Sequence, residues 1–137
     1  MFRRKMPAVE MVGFMIFQDW QPRSGTIGDL IGCGFGSVMA KELPGPLPRM
    51  GIFTAWKRQP TEPETSSAEI WLEQRETGDS RIICQIQPVF GAGDEYTIFV
   101  PPGQVVFIPS QGIYRFFALA SGRRFNCWDL RVSSLQI

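Results

Sequence analysis

The 137-residue sequence contains no histidine. This absence removes the usual general base of Ser–His and Cys–His nucleophile systems, and it removes the commonest side-chain metal ligand. Carboxylates are the remaining acid–base candidates, and none of them has a spacing diagnostic of a catalytic pair. We therefore expect a protein that is not an enzyme, with no catalytic residues, no cofactor and no metal site.

Cysteine is scarce and scattered. Cys33, Cys84 and Cys127 lie far apart and form no CxxC pair, which argues against a structural zinc site. An odd number of cysteines also argues against a closed disulfide framework. We expect three reduced thiols, each of them buried and inert, in a cytoplasmic protein.

The chain has no excess of charge of either sign. Lysine and arginine total 14 against 13 aspartate and glutamate, a net charge of +1. This balance gives no long-range field to attract nucleic acid or an anionic membrane, and it leaves little repulsion between copies. The N-terminal sequence is interpreted as a short basic arm over residues 1–7, because the apolar run after it is far shorter than the roughly 20 residues that span a bilayer. We expect neither a nucleic-acid nor a membrane partner.

The sequence also lacks an amphipathic helical stripe, and short runs rich in Ile, Val, Phe and Trp alternate with Gly and Pro clusters instead. This pattern predicts an all-β protein, an immunoglobulin-like antiparallel β-sandwich of about seven to nine strands. Residues 8–137 are expected to form its single domain. The predicted strands cover residues 8–18, 26–39, 50–58, 68–76, 81–90, 96–100, 104–109, 113–120 and 124–133.

The segment QGIYRF is similar to the tyrosine corner of immunoglobulin-like sandwiches, in which a Tyr hydroxyl hydrogen-bonds back to the chain. Tyr114 is therefore expected to be structural. Phe116 occupies the position at which antibody domains have their second disulfide cysteine, so the disulfide-bonded version is excluded.

A wider resemblance includes the runs LPGPLPRMGIF and VVFIPSQGIYRFFALASG and the terminal LRV. Together they resemble a bacterial family of small β-sandwich proteins without an agreed activity, which share a Gly-x-Tyr-Arg-Phe strand. The resemblance covers most of the chain and implies a fold but no function. The Gly- and Trp-rich first third departs from that pattern.

The glycine-rich run GCGFG lacks the spacing of a phosphate loop, because its third glycine comes one residue early and no lysine follows at the required position. In an extended strand, Gly32, Gly34 and Gly36 share one face and leave a groove that Trp20 or Trp71 is expected to cover. An alternative function uses the same face: a small molecule or glycan would bind there.

Period-two alternation places Tyr114 on the core side of the last hairpin and an aromatic row on the outer side. Such a row exceeds ordinary surface exposure. The leading hypothesis is a non-enzymatic interaction or assembly module whose partner is a second copy, in a homodimer, or another protein. The alternative is that the N-terminal strand or the proline-rich loop covers this face. The candidate interface residues are Trp71, Arg115, Phe117, Leu119 and Phe125.

Overall fold

The computed structural model describes residues 9–23, 28–58 and 67–135, and the predicted basic arm lies outside these ranges. The described residues form an all-β fold of several sheets with no helix, as the sequence predicts at this level. Among them, no helix is long and apolar enough to cross a membrane. The strands are β1 (Val9–Phe17), β2 (Asp19–Pro22), β3 (Gly28–Ile31), β4 (Ser37–Ala40), β5 (Gly45–Pro46), β6 (Gly51–Arg58), β7 (Ala68–Gln74), β8 (Ser80–Ile86), β9 (Tyr96–Phe99), β10 (Phe107–Ile108), β11 (Gly112–Ala120) and β12 (Arg123–Ser134).

Two larger sheets enclose the core. One has five strands in the order β4-β12-β11-β7-β8, and the other has three in the order β1-β6-β9. Strands β2 and β3 form a separate hairpin, and β5 pairs with β10. The larger sheets meet where the ring centroids of Phe14 and Phe116 lie 5.7 Å apart. This arrangement is consistent with a β-sandwich.

Period-two alternation explains which side chains enter the core. In β6 and β7, buried residues alternate with half-buried ones, as expected for strands with one face packed. The inward residues of β11 follow the same rule, so Tyr114, Phe116 and Ala118 are buried as predicted. Large apolar core side chains from the two sheets are Ile16, Ile52, Trp56, Ile70, Leu72, Phe116 and Leu130.

The predicted hydrogen bond of Tyr114 is present. Its hydroxyl donates to the main-chain carbonyl of Ser110 at 2.7 Å, four residues upstream, while its ring is buried in the core. The bond ties the segment before β11 to the strand itself, and it is the contact on which the predicted structural role of Tyr114 depends.

The prediction of one strand over residues 26–39 is wrong. A turn separates β3 from β4, and within it Gly32 and Gly34 have φ angles of 66° and 72°. These angles lie in the left-handed region, which glycine enters without the steric cost that other residues incur. The glycines therefore end a strand and do not line an extended face.

Candidate functional site

Four of the five predicted interface residues share the outer face of the five-stranded sheet. Trp71 on β7 lies opposite Phe117 on β11, and Arg115 and Leu119 are on the same face of β11 by alternation. The Trp71 and Phe117 rings are stacked, with centroids 6.0 Å apart and an interplanar angle of 12°. The structure thus brings together the aromatic pair that the sequence predicts on this side.

Arg124 completes what we call the aromatic platform, namely Trp71, Phe117 and Arg124. Its guanidinium carbon lies 3.8 Å from the centroid of the Phe117 ring, in a cation–π contact. The same guanidinium donates to the two carboxylate oxygens of Glu73 at 3.0 and 3.3 Å. The indole nitrogen of Trp71 donates to the Glu69 carboxylate at 3.1 Å. The platform therefore has partners for its charged and polar groups within one chain.

A second charged group flanks the platform. Arg115 donates from Nε to Asp129 at 2.8 Å, and Arg75 reaches the other carboxylate oxygen at 3.2 Å. The hydrogen bond from Arg115, together with the charges of both guanidinium groups, lowers the pKa of Asp129. Asp129 is consequently ionised and paired at neutral pH, so these charges are already matched on the isolated chain.

Phe117 is predicted to face outward and to be exposed, and only the direction is right. Its side chain is on the outer face, but it is only 5% exposed because the Trp71 ring and the Arg124 guanidinium cover it. In the described part of the chain, the cover comes from the sheet's own side chains. Leu119 and Trp71 are half-buried.

The outward orientation predicted for Phe125 is wrong. A β-bulge shifts the register of β12, so that Phe116 faces Trp128 while Phe117 faces Asn126. Cys127 is the extra residue, and beyond it every side chain changes face. Phe125 then lies opposite Ala118 on the inner side and packs against the core. It is not part of the aromatic platform.

The bulge also turns the Cys127 thiol inward. Its Sγ lies 3.3 Å from the sulfur of Met11 on β1, and burial raises the pKa of this thiol to about 12. Burial also raises the pKa of Cys84, whereas Cys33 is exposed. All three cysteines are free thiols, but the prediction that each of them is buried is wrong for Cys33. The described residues contain no cluster of three or more potential metal ligands.

The alternative ligand face does not assemble in the predicted form. Trp20 is 45% exposed in the β2–β3 hairpin, and Trp71 is on the outer face of the five-stranded sheet. The tryptophan beside the glycine turn is Trp128, whose indole nitrogen donates to the Phe35 carbonyl at 2.9 Å. A Cβ built on Gly34 would lie 3.7 Å from its ring. Sequence reasoning missed this contact because it depends on the parallel pairing of β4 with β12.

Strand β9 is a sheet edge with exposed apolar side chains, and the sequence did not indicate it as a candidate site. Tyr96 and Ile98 are 58% and 61% exposed, and Val100 continues the row at 42%. Tyr96 lies opposite Lys57 of β6, and Ile98 lies opposite Ala55. The two side chains therefore project from the outer face of the three-stranded sheet.

The main chain of β9 presents hydrogen-bonding groups to its open side. The Arg58 N–H donates to the Glu95 carbonyl at 2.9 Å, so Glu95 directs its main-chain groups toward β6. In an antiparallel ladder this direction alternates, and Thr97 and Phe99 also face β6. Tyr96 and Ile98 direct their N–H and C=O groups the other way, where no strand of the described chain pairs with β9. We call this side the β9 edge.

Two other edge strands, β8 and β1, are protected in ways that β9 is not. Strand β8 has exposed polar residues, among them Arg81 and Gln85, and the β7–β8 ladder has a bulge. Strand β1 contains Glu10 and a bulge at Val12. Charges and bulges on an edge strand hinder pairing with another chain. The sequence of β9, Tyr-Thr-Ile-Phe, contains no charge, and its ladder with β6 is regular.

A buried arginine supports the segment that leads into β9. Arg58 is only 7% exposed, and its guanidinium donates to the carbonyls of Asp94 at 2.9 Å and Gly91 at 3.0 Å. The guanidinium carbon also lies 4.8 Å from the centroid of the Phe90 ring. These contacts fix the loop over residues 90–95 against β6, so the strand that follows has a defined position.

No family model matches the chain, and no curated protein matches it either.

Proposed function

We propose that this protein is a non-enzymatic interaction module that binds a polypeptide by strand addition at the β9 edge. One observation supports this proposal above all: Tyr96 and Ile98 combine outward-directed main-chain groups with exposed apolar side chains. Strand addition uses both, because the main chain supplies affinity and the alternate side chains supply specificity. The partner belongs to the class expected from the sequence, either a second copy or another protein.

The aromatic platform is a weaker candidate for the same function. Its central ring, Phe117, is already covered, and the charges of Arg124 and Glu73 are paired with each other. A partner at this face would gain little apolar contact with Phe117 unless Arg124 moved away. Ile98, by contrast, is 61% exposed, so burying the rest of its side chain contributes about 1–2 kcal/mol.

The finer fold assignment and the location are part of the proposal. We propose an immunoglobulin-like β-sandwich, and the hydrogen bond from Tyr114 to Ser110 supports it because tyrosine corners are typical of that fold. We also propose a cytoplasmic location. The three free thiols support it, since thiols persist in a reducing compartment.

The proposal is tested by comparing affinity-purified wild-type chain with two lysine variants. Ile98→Lys places a charge on the β9 edge, and Ile82→Lys is the control, since Ile82 is 41% exposed on the outer side of the other sheet. The wild-type and Ile82→Lys chains should retain a stoichiometric polypeptide, a second copy or another protein. Ile98→Lys should lose it. A wild-type chain that is monomeric and retains no polypeptide, or equal retention by Ile98→Lys, would show the proposal to be wrong.

A further inference from the structure

We infer that the occupant of the β9 edge is a second copy of this chain, paired antiparallel with β9 about a two-fold axis. This inference rests on the proposed function and adds the identity and register of the partner. A closed dimer requires each copy to offer the same surface to the other. Two β9 edges related by a two-fold axis are antiparallel, and this direction lets both strands use their outward main-chain groups.

The outward groups restrict the register. Hydrogen-bonded pairs must join residues whose main chain points to the open side, and Tyr96 and Ile98 are those residues within β9. Pairing Tyr96 with Ile98 of the second copy uses all four of these residues and places Thr97 opposite Thr97 on the axis. The Tyr96 and Ile98 side chains then meet on the outer face as an aromatic and β-branched pair, a favourable cross-strand combination. The result is a continuous six-stranded sheet.

Charge complementarity favours a second copy in this orientation. Asp94 and Glu95 precede β9, and both are exposed. Beyond the C-terminal end of β9, the Arg49 guanidinium lies beside Gly103. A Cβ built on Gly103 would be 2.6 Å from Nε of Arg49. These three side chains have no ion-pair partner among the described residues. Antiparallel pairing brings the acidic end of each strand toward the Arg49 end of the other, twice by symmetry. The net charge of +1 adds almost no repulsion between copies.

The register predicts a specific cross-link. Opposite residues of a non-hydrogen-bonded antiparallel pair have Cα atoms about 4.5 Å apart, which lies within the range that a disulfide spans. Thr97→Cys, made together with Cys33→Ser to remove the exposed native thiol, should therefore form a disulfide-linked dimer on mild oxidation. Ser80→Cys in the same background is the control, because Ser80 is exposed on the edge strand of the other sheet. On the same treatment it should form no disulfide-linked dimer.

Light scattering of the purified chain at micromolar concentration supplies the second measurement. The wild-type protein should have twice the 15.5 kDa mass of one chain. Ile98→Lys should weaken association by about tenfold or more, since both copies carry the added charge at the edge. Ile82→Lys should leave the mass unchanged, and the circular dichroism spectra of all variants should match that of the wild-type chain.

The outcomes separate this inference from the proposed function. A dimer that Ile98→Lys dissociates but Thr97→Cys does not cross-link would overturn the strand pairing while leaving an interaction at this edge. A pure monomer that instead retains another protein, lost in Ile98→Lys, would overturn the second copy and keep the proposed function. A monomer that retains nothing would overturn both.

Discussion

At the scale of single residues, Tyr114 has a hydroxyl whose loss should be measurable. Its buried ring brings the hydroxyl to the Ser110 carbonyl. Tyr114→Phe keeps the ring and removes the donor, so the carbonyl loses its partner. We expect the free energy of unfolding to fall by about 1–3 kcal/mol, measured by urea denaturation. Tyr96→Phe is the matched control at concentrations where the chain is monomeric, because Tyr96 is exposed there and the loss of its hydroxyl should leave the midpoint unchanged. Equal midpoints for Tyr114→Phe and the wild-type protein would contradict this role.

Cys33 and Cys127 should differ in reactivity toward alkylating reagents, because Cys33 is exposed and the Cys127 thiol is largely buried. Burial raises the pKa of Cys127 from 9.0 to about 12, so the native thiol holds its proton more tightly than the unfolded one. The stability linked to this proton is complete below pH 9.0 and is lost as the pH rises toward about 12. Alkylation of the native protein at pH 8, followed by mass spectrometry, should modify exposed Cys33 and spare Cys127. Unfolding should make both reactive. Rapid native labelling of Cys127 would show that the thiol is not buried.

At the scale of strands, the sequence predicts well where alternation is uninterrupted and poorly where one residue breaks it. In β11 the inner and outer sides follow directly from spacing, and Tyr114 and Phe116 are where they are expected. In β12 the extra residue, Cys127, reverses the faces, and nothing in the order of side chains marks it. The glycine run has a comparable ambiguity, because glycine tolerates both an extended strand and the left-handed turn that Gly34 adopts.

A second prediction at this scale concerns the loop that precedes β9. Arg58→Met keeps much of the apolar side chain but removes the donors to the Asp94 and Gly91 carbonyls. We expect a loss of about 1.5–3 kcal/mol in the free energy of unfolding. Limited proteolysis should also become faster within residues 90–95, as the loop loses its attachment to β6. Lys57→Met, at the neighbouring position, should change the free energy of unfolding by no more than about 0.5 kcal/mol and should leave the rate of proteolysis unchanged. Unchanged cleavage in Arg58→Met would show that other contacts hold the loop.

At the scale of the whole molecule, strand order determines which surface is open, and one sequence does not contain that order. The segment over residues 96–100 is predicted as a strand, yet its place beside β6 at a sheet edge appears only in the fold. The aromatic platform differs in this respect. Its aromatic residues are evident from the spacing in the sequence, but the contact by which Arg124 covers Phe117 appears only in the fold. The expected interface and the proposed one therefore lie on different sheets.

Self-association at the β9 edge makes the stability of the molecule depend on its concentration. A partner that binds only the folded chain adds about 2.7 kcal/mol when its concentration is a hundred times the dissociation constant. Each kcal/mol raises the thermal midpoint of a domain of this size by about 2–8 °C. The wild-type midpoint should thus rise by several degrees as concentration increases across the dissociation constant, measured by scanning calorimetry. Ile98→Lys should show a constant midpoint, and Ile82→Lys should behave like the wild-type chain. A concentration-independent wild-type midpoint would contradict self-association of the folded chain.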